Sequence, residues 1–191
     1  MPDNSATIDT IKSIALKENG VEPFLVASNS HAMPDTSPLL QYGFDGIFNF
    51  RPQLGVLPGT FTDGFDKRRL MNNLWKYKVF SGNYKIYGYK TALNLMAEVE
   101  PESFDKIIPC VFVGWDNTAR RGGNGIVIKN NEPNLFEAEL MRVKKKLECS
   151  GDNLGMIFVN AWNEWAEGNY LEPDNMHHYA YLDSIKKVTG K

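Results

Sequence analysis

Met156-Ile157-Phe158-Val159-Asn160-Ala161-Trp162-Asn163-Glu164-Trp165-Ala166-Glu167-Gly168 begins as a short apolar run and ends in two glutamates, three residues apart, between tryptophans. A run of this length bounded by turn signals reads as a buried strand, and the same signature recurs at residues 24–27, 46–48 and 107–113. Helical periodicity fills the intervals. Ile8, Ile11 and Ala15 recur at helical spacing before Asn19-Gly20, a C-terminal stop. Pro133 suits a first helical position, and Phe136, Leu140, Val143 and Leu147 then form one apolar stripe. Asp174 fits an N-cap, followed by a stripe of Tyr181, Ile185 and Val188, with Lys186 and Lys187 near the negative helix end. Residues 67–78 and 90–99 read as further helical pieces separated by Ser81-Gly82-Asn83. Strands that alternate with helices predict βαβ units, hence a parallel sheet with right-handed crossovers, and the fold class is α/β.

The residues just past each strand carry the functional signal. The first strand runs into Ser28-Asn29-Ser30-His31 and the second into Asn49-Phe50-Arg51-Pro52. The third runs into Gly114-Trp115-Asp116-Asn117-Thr118-Ala119-Arg120-Arg121, and the fourth into Trp162 and the two glutamates. Polar and aromatic groups therefore gather at strand C-terminal ends, where parallel α/β sheets and (β/α)8 barrels place their active sites.

The totals exclude several functions. The 191 residues suffice for one sizeable core and are short for two, so residues 1–191 are read as a single domain. With 21 basic against 23 acidic side chains and no Lys/Arg block interleaved with aromatics, nucleic acid is not an expected partner. The opening Met1-Pro2-Asp3-Asn4-Ser5 lacks a secretory pattern, and no apolar run reaches the roughly 18 residues of a membrane span, which predicts a cytoplasmic protein. Cys110, inside a strand, and Cys149, near a helix end, read as ordinary buried or half-buried thiols, because neither has a cationic neighbour in sequence to form a thiolate. His177 and His178, placed in the first turn of the last predicted helix, point in different directions; no metal and no cofactor is expected.

Saccharides present apolar faces that stack on rings and hydroxyls that need planar partners, while glycosidic chemistry uses two acids at a defined separation. Glu164 and Glu167 supply the acids, and Trp162, Asn163 and Trp165 the surroundings. In an extended segment the two carboxylates would lie about 10 Å apart on opposite faces. On a helical turn their Cβ atoms come within about 5 to 6 Å, and Gly168, a break, favours such a turn. Close carboxyls suit a retaining reaction, with like charge and burial raising one pKa so that one acid donates while the other accepts. The competing reading is a pair of solvated loop acids with the tryptophans in the core. Glu172, beside Pro173, reads as a turn or cap residue.

A second constellation is Trp115, Asp116, Asn117 and Arg120: a stacking ring, an acid and amide for sugar hydroxyls, and a guanidinium that can hold an acid in place or bind an anionic substituent. The same residues also fit a type I turn in which Asp116 and Asn117 cap the next segment and Arg120 is solvated. His31 is a candidate hydrogen-bond donor to substrate or a plain surface residue.

At these residues the chain resembles the WbsX family, bacterial glycosyltransferases of lipopolysaccharide O-antigen and capsule loci, which is related to the endo-α-1,2-mannosidase glycoside hydrolases. The resemblance rests on Gly114-Trp115-Asp116-Asn117-Thr118-Ala119-Arg120 and on Asn160 through Gly168, with weaker support from Gly43-Phe44-Asp45-Gly46. It implies a (β/α)8 barrel, a glycan substrate, and a catalytic role for both acids. Glu164 would assist the substrate 2-hydroxyl as a base, and Glu167 would protonate the leaving oxygen and later activate the acceptor. That route passes through an anhydro-sugar, whereas carboxylate spacing alone points to a glycosyl-enzyme ester. Four strand units are about half a barrel. The expectation is thus the C-terminal portion of such a barrel, completed by an N-terminal half or by a homo-oligomer. The absence of an Asp-x-Asp motif and of a Gly-rich phosphate loop weakens a nucleotide-sugar donor; hydrolysis of the endo-α-mannosidase type is the chemical alternative to transfer, and a truncated, non-catalytic glycan-binding fragment is the alternative from another class.

Overall fold

The computed structural model describes residues 4–30, 35–58, 85–151 and 153–190; the helical piece expected at 67–78, the Ser81-Gly82-Asn83 break and His31 lie outside them. In chain order the first half holds α1 (Asn4–Asn19), β1 (Val26–Ser28), α2 (Ser37–Gln41), β2 (Gly46–Asn49), β3 (Lys85–Gly88) and α3 (Tyr89–Glu98). The second half holds β4 (Ile107–Phe112), β5 (Trp115–Asp116), α4 (Thr118–Arg121), β6 (Ile126–Lys129), α5 (Pro133–Glu148), β7 (Phe158–Asn160), β8 (Asn163–Glu164), β9 (Asn169–Tyr170) and α6 (Ala180–Thr189).

The four strands expected from sequence form one curled half-barrel sheet in the order β1-β2-β4-β7, every neighbouring pair parallel. Register places Ala27 beside Ile47, Ile47 beside Ile107 and Cys110 beside Phe158. All four strands therefore end on the same edge. Central β4 is buried on both faces, which is why it reads as a continuous apolar run rather than an alternating one. Val111 and Val113 enter a cluster with Phe136, Leu140, Val143 and Leu147 of α5 and Tyr181 and Val188 of α6. Phe112 enters a second cluster with Leu57, Tyr87, Tyr89, Leu93, Met96, Trp115, Ile126 and Ile128. Each such side chain stabilises the fold by roughly 1.5 to 3 kcal/mol, an upper figure because unfolded chains are already partly collapsed.

Sequence and structure differ at several elements. β3 and β6 pair in parallel and β5 joins β6 antiparallel, a side sheet absent from the sequence-based expectation. Helix α6 starts at Ala180, not after Asp174, so His177 and His178 sit in the preceding turn. Asp174 does cap, but locally: its Oδ1 accepts the amides of Met176 at 2.8 Å and His177 at 2.5 Å. The α1 stripe is mostly uncovered, with Ile8 buried and Ile11 exposed. Cys110 is buried and its thiol is pushed up to about 11 by desolvation, while Cys149 is exposed rather than half-buried.

One polar feature lies deep in the fold. Arg51, just past β2, reaches Glu139 of α5 at 2.7 Å and Glu100 at 2.5 Å, and all three side chains are at least 95% buried. Arg142 and Lys146 bind Glu100 from the outside at 2.8 and 3.1 Å, and Arg142 also binds Glu139. Burial alone would raise the Glu100 pKa, but these cations outweigh it and hold the carboxyl below its ordinary value. The Arg51 carbonyl in turn accepts the side-chain amide of Asn160 at 2.9 Å. This network thereby ties the exit of β2 to the exit of β7.

Candidate functional site

The chain leaves β7 through Ala161 and Trp162 and forms a small ribbon in which β8 and β9 pair antiparallel, Asn163 beside Tyr170 and Glu164 beside Asn169. A single 3-10 turn, Trp165–Glu167, joins the two strands, and Gly168 leaves it in the left-handed region at φ 55°. Glu164 ends β8 as the N-cap of this turn and Glu167 is its last residue, and the Glu164 charge acts on Glu167. A tight turn after the strand agrees with the expectation from Gly168.

Two glycines let this ribbon sit against the loop after β4. A Cβ on Gly168 would lie 3.2 Å from the Asp116 Cβ, and one on Gly114 would lie 2.9 Å from the Gly168 carbonyl oxygen and 2.7 Å from the Asn131 amide. Asn169, fully buried, fastens the seam: its Oδ1 accepts the amides of Val113 at 3.1 Å and Gly114 at 3.2 Å. That contact brings the second constellation to the first. Arg120 on α4 forms an ion pair with Glu167.

The two acids occupy unlike environments. Glu164 is exposed, whereas Glu167 is 9% exposed. Burial pushes the Glu167 pKa up, Arg120 pulls it down, and the Glu164 charge adds to the upward push; the net displacement is upward. An acid whose burial favours its protonated form, near one that is exposed, is an arrangement able to donate and accept in turn.

The remaining sequence candidates divide. Trp162 and Trp165 are exposed by 54% and 69%, ring faces available for stacking rather than core. Asn163 donates its side-chain amide to Glu172 at 3.4 Å, so Glu172 joins the ribbon instead of acting only at a turn. Asp116 accepts the Thr118 amide at 2.9 Å and its hydroxyl at 2.6 Å, the capping alternative. Trp115 is 5% exposed within the apolar cluster under β3 and β6, which corrects the expectation of a stacking ring there. Asn117 is 1% exposed and its Oδ1 accepts the Ile126 amide at 2.8 Å, so this amide is spent on the side sheet and not on a ligand. Asn29 and Asn49, at the strand exits read from the sequence, are buried and form a polar cluster with Gln53, which the sequence did not mark; Gln53 donates to Asn49 at 2.8 Å. Among the described residues no cluster of His, Cys, Asp or Glu could hold a metal, and no helix is long and apolar enough to cross a membrane.

The sequence is 32% identical over 174 residues to the uncharacterized protein WxcX of Xanthomonas campestris pv. campestris strain B100, and equally so to WxcX of strain ATCC 33913. The match covers 90% of this chain and 23% of each relative, so the chain spans about a quarter of the length of the curated relatives it matches. No solved structure matches it. The family described as Glycosyltransferase WbsX matches over residues 1–185. This chain belongs to the WbsX glycosyltransferase family.

Proposed function

We propose that this chain carries the acid pair of a glycosyl-transferring site that acts on bacterial cell-surface polysaccharide of the O-antigen or capsule type, in the cytoplasm. Glu167 is the proton donor to the departing glycosidic oxygen. Glu164 takes the proton of the substrate 2-hydroxyl as its oxygen closes on the anomeric carbon, giving an anhydro-sugar. In the second half-reaction an acceptor hydroxyl opens that ring, Glu167 takes the acceptor's proton, and Glu164 returns one to the 2-oxygen. Arg120 steadies Glu167 once it is ionised, and Trp162 and Trp165 offer apolar faces to the sugar rings.

The observation that carries this reading is the asymmetry of the pair: a buried Glu167 with an upward-shifted pKa, held by Arg120, beside an exposed Glu164. Family membership supports glycosyl transfer as the reaction type. The test is turnover of α-linked mannosides and of the polysaccharide from the native locus by wild type, Glu164→Gln and Glu167→Gln. Each variant is expected to lose about 100- to 10,000-fold in kcat while the fold is kept. Wild-type turnover by both variants would remove the acid pair from the mechanism, and release of free sugar without transfer would make the reaction a hydrolysis.

A further inference from the structure

Two hollows flank the turn that carries Glu167. The first, about 380 Å³, is lined by Gly168, Tyr170, Asp174, His177, Tyr181 and Asn131 among others, and the second, about 300 Å³, by Trp165, Tyr170, Glu172, Pro173 and Asp174. They share Tyr170 and Asp174 as a common wall, and together fall in the size range of small-molecule pockets. Gly168 lines the first hollow and Trp165 the second, and both flank Glu167 in the chain, so the hollows are built on the same ribbon as the two acids.

The wall chemistry is specific. Asp174 Oδ1 is spent on the amides of Met176 and His177, and Oδ2 receives one long bond of 3.3 Å from the Tyr170 hydroxyl. Burial alone would raise the Asp174 pKa, yet the amide bonds outweigh it and hold the carboxyl below its ordinary value. It is therefore an ionised, oriented acceptor with lone pairs left on Oδ2. Rings surround it: Tyr170 and Trp165 in the second hollow, and His177 edge-on to Tyr181, centroids 5.4 Å apart, in the first. Two carboxylates and neither lysine nor arginine line the hollows. Rings plus a fixed acceptor suit the CH faces and hydroxyls of a neutral sugar, and repel an anionic one.

We infer that the shared wall of Tyr170 and Asp174 is a saccharide-binding subsite, which holds a neutral sugar unit next to the one reacting at the acid pair. The subsite rests on the proposed function for its role in catalysis, but its binding is testable without turnover. The probe is an array of neutral hexose and deoxyhexose oligosaccharides of two to six units, together with uronate oligomers, followed by calorimetric titration of the tightest neutral binder.

Wild type is expected to bind it, and Glu167→Gln to retain binding, so that binding is read apart from turnover. Tyr170→Ala and Asp174→Asn lose about ten-fold or more in affinity, the effect of one ring contact or one charged acceptor. Tyr170→Phe, which keeps the ring, stays within about three-fold of wild type. Asp174→Asn retains an oxygen for the two amides and so reports on binding even where Tyr170→Ala fails to fold. Undiminished binding by Asp174→Asn, an array bound only through uronates, or no binding by wild type would each overturn the subsite. If instead Glu167→Gln keeps wild-type turnover while the Tyr170 and Asp174 variants lose binding, the catalytic reading fails and the subsite stands.

Discussion

At the scale of single residues, three influences act on one proton with definite signs. Desolvation and Glu164 favour the protonated form of Glu167, and Arg120 favours the ionised form. If Glu167 acts as the acid, the basic limb of the pH–rate profile reports its deprotonation. Arg120→Leu removes the downward pull, so the pKa rises, the protonated form persists longer, and the basic limb moves to higher pH. Arg120 is 63% exposed, so salt screens the same interaction, and added NaCl should narrow the separation between the wild-type and variant limbs. A limb that moves to lower pH in the variant would contradict the assignment. The acids are legible in the sequence because Glu-x-x-Glu between tryptophans comes directly after a strand. Asn117 and Trp115 are not, for a different reason. Their neighbours in the chain are site residues, but their side chains point into the side sheet, and a local motif carries no information about which way a short strand turns its faces.

At the scale of elements, the site is a ribbon pressed against the loop after β4, and the press requires glycine. Gly168 has positive φ and almost no room for a Cβ. Gly168→Ala should therefore cost about 1 to 2 kcal/mol of stability from backbone strain, read as a shift in the urea midpoint, and should lower turnover further by moving Glu167 off Arg120. A variant of unchanged stability and turnover would show that the seam does not position the acid. The four strands of the main sheet are readable because apolar runs between turn signals survive any tertiary context. β6 escapes notice although Ile126-Val127-Ile128 is β-branched throughout and comes after Gly125; its four residues are simply short. The ribbon and the 3-10 turn are not readable as such, since two-residue strands have no period. Neither is the Tyr170 and Asp174 wall, whose partner Tyr181 arrives from a separate helix.

At the scale of the molecule, β4 is the organising strand. It feeds both apolar clusters and lies between the strands whose exits the Arg51 network ties together. We propose on this ground that residues 1–191 form one cooperative unit. Glu139→Ala removes one of the two carboxylates on Arg51 and leaves Glu100 in place, so it should cost about 1.5 to 3 kcal/mol, the scale of lost charged hydrogen bonds, and keep a single unfolding transition. Two separated transitions, or a loss under about 1 kcal/mol, would mean that the network does not join the layers. Curvature of the parallel sheet agrees with the α/β reading, whereas the network could not be foreseen, because Arg51, Glu100 and Glu139 are far apart in sequence and nothing local marks them as partners.

The central claim is that burial beside a second acid makes Glu167 a proton donor, and site-resolved carbon NMR of its side-chain carboxyl across pH tests it most directly. The expected result is a midpoint above the ordinary value of 4.5, lower in Glu164→Gln and higher in Arg120→Leu. A midpoint at or below 4.5 that ignores both substitutions would contradict it.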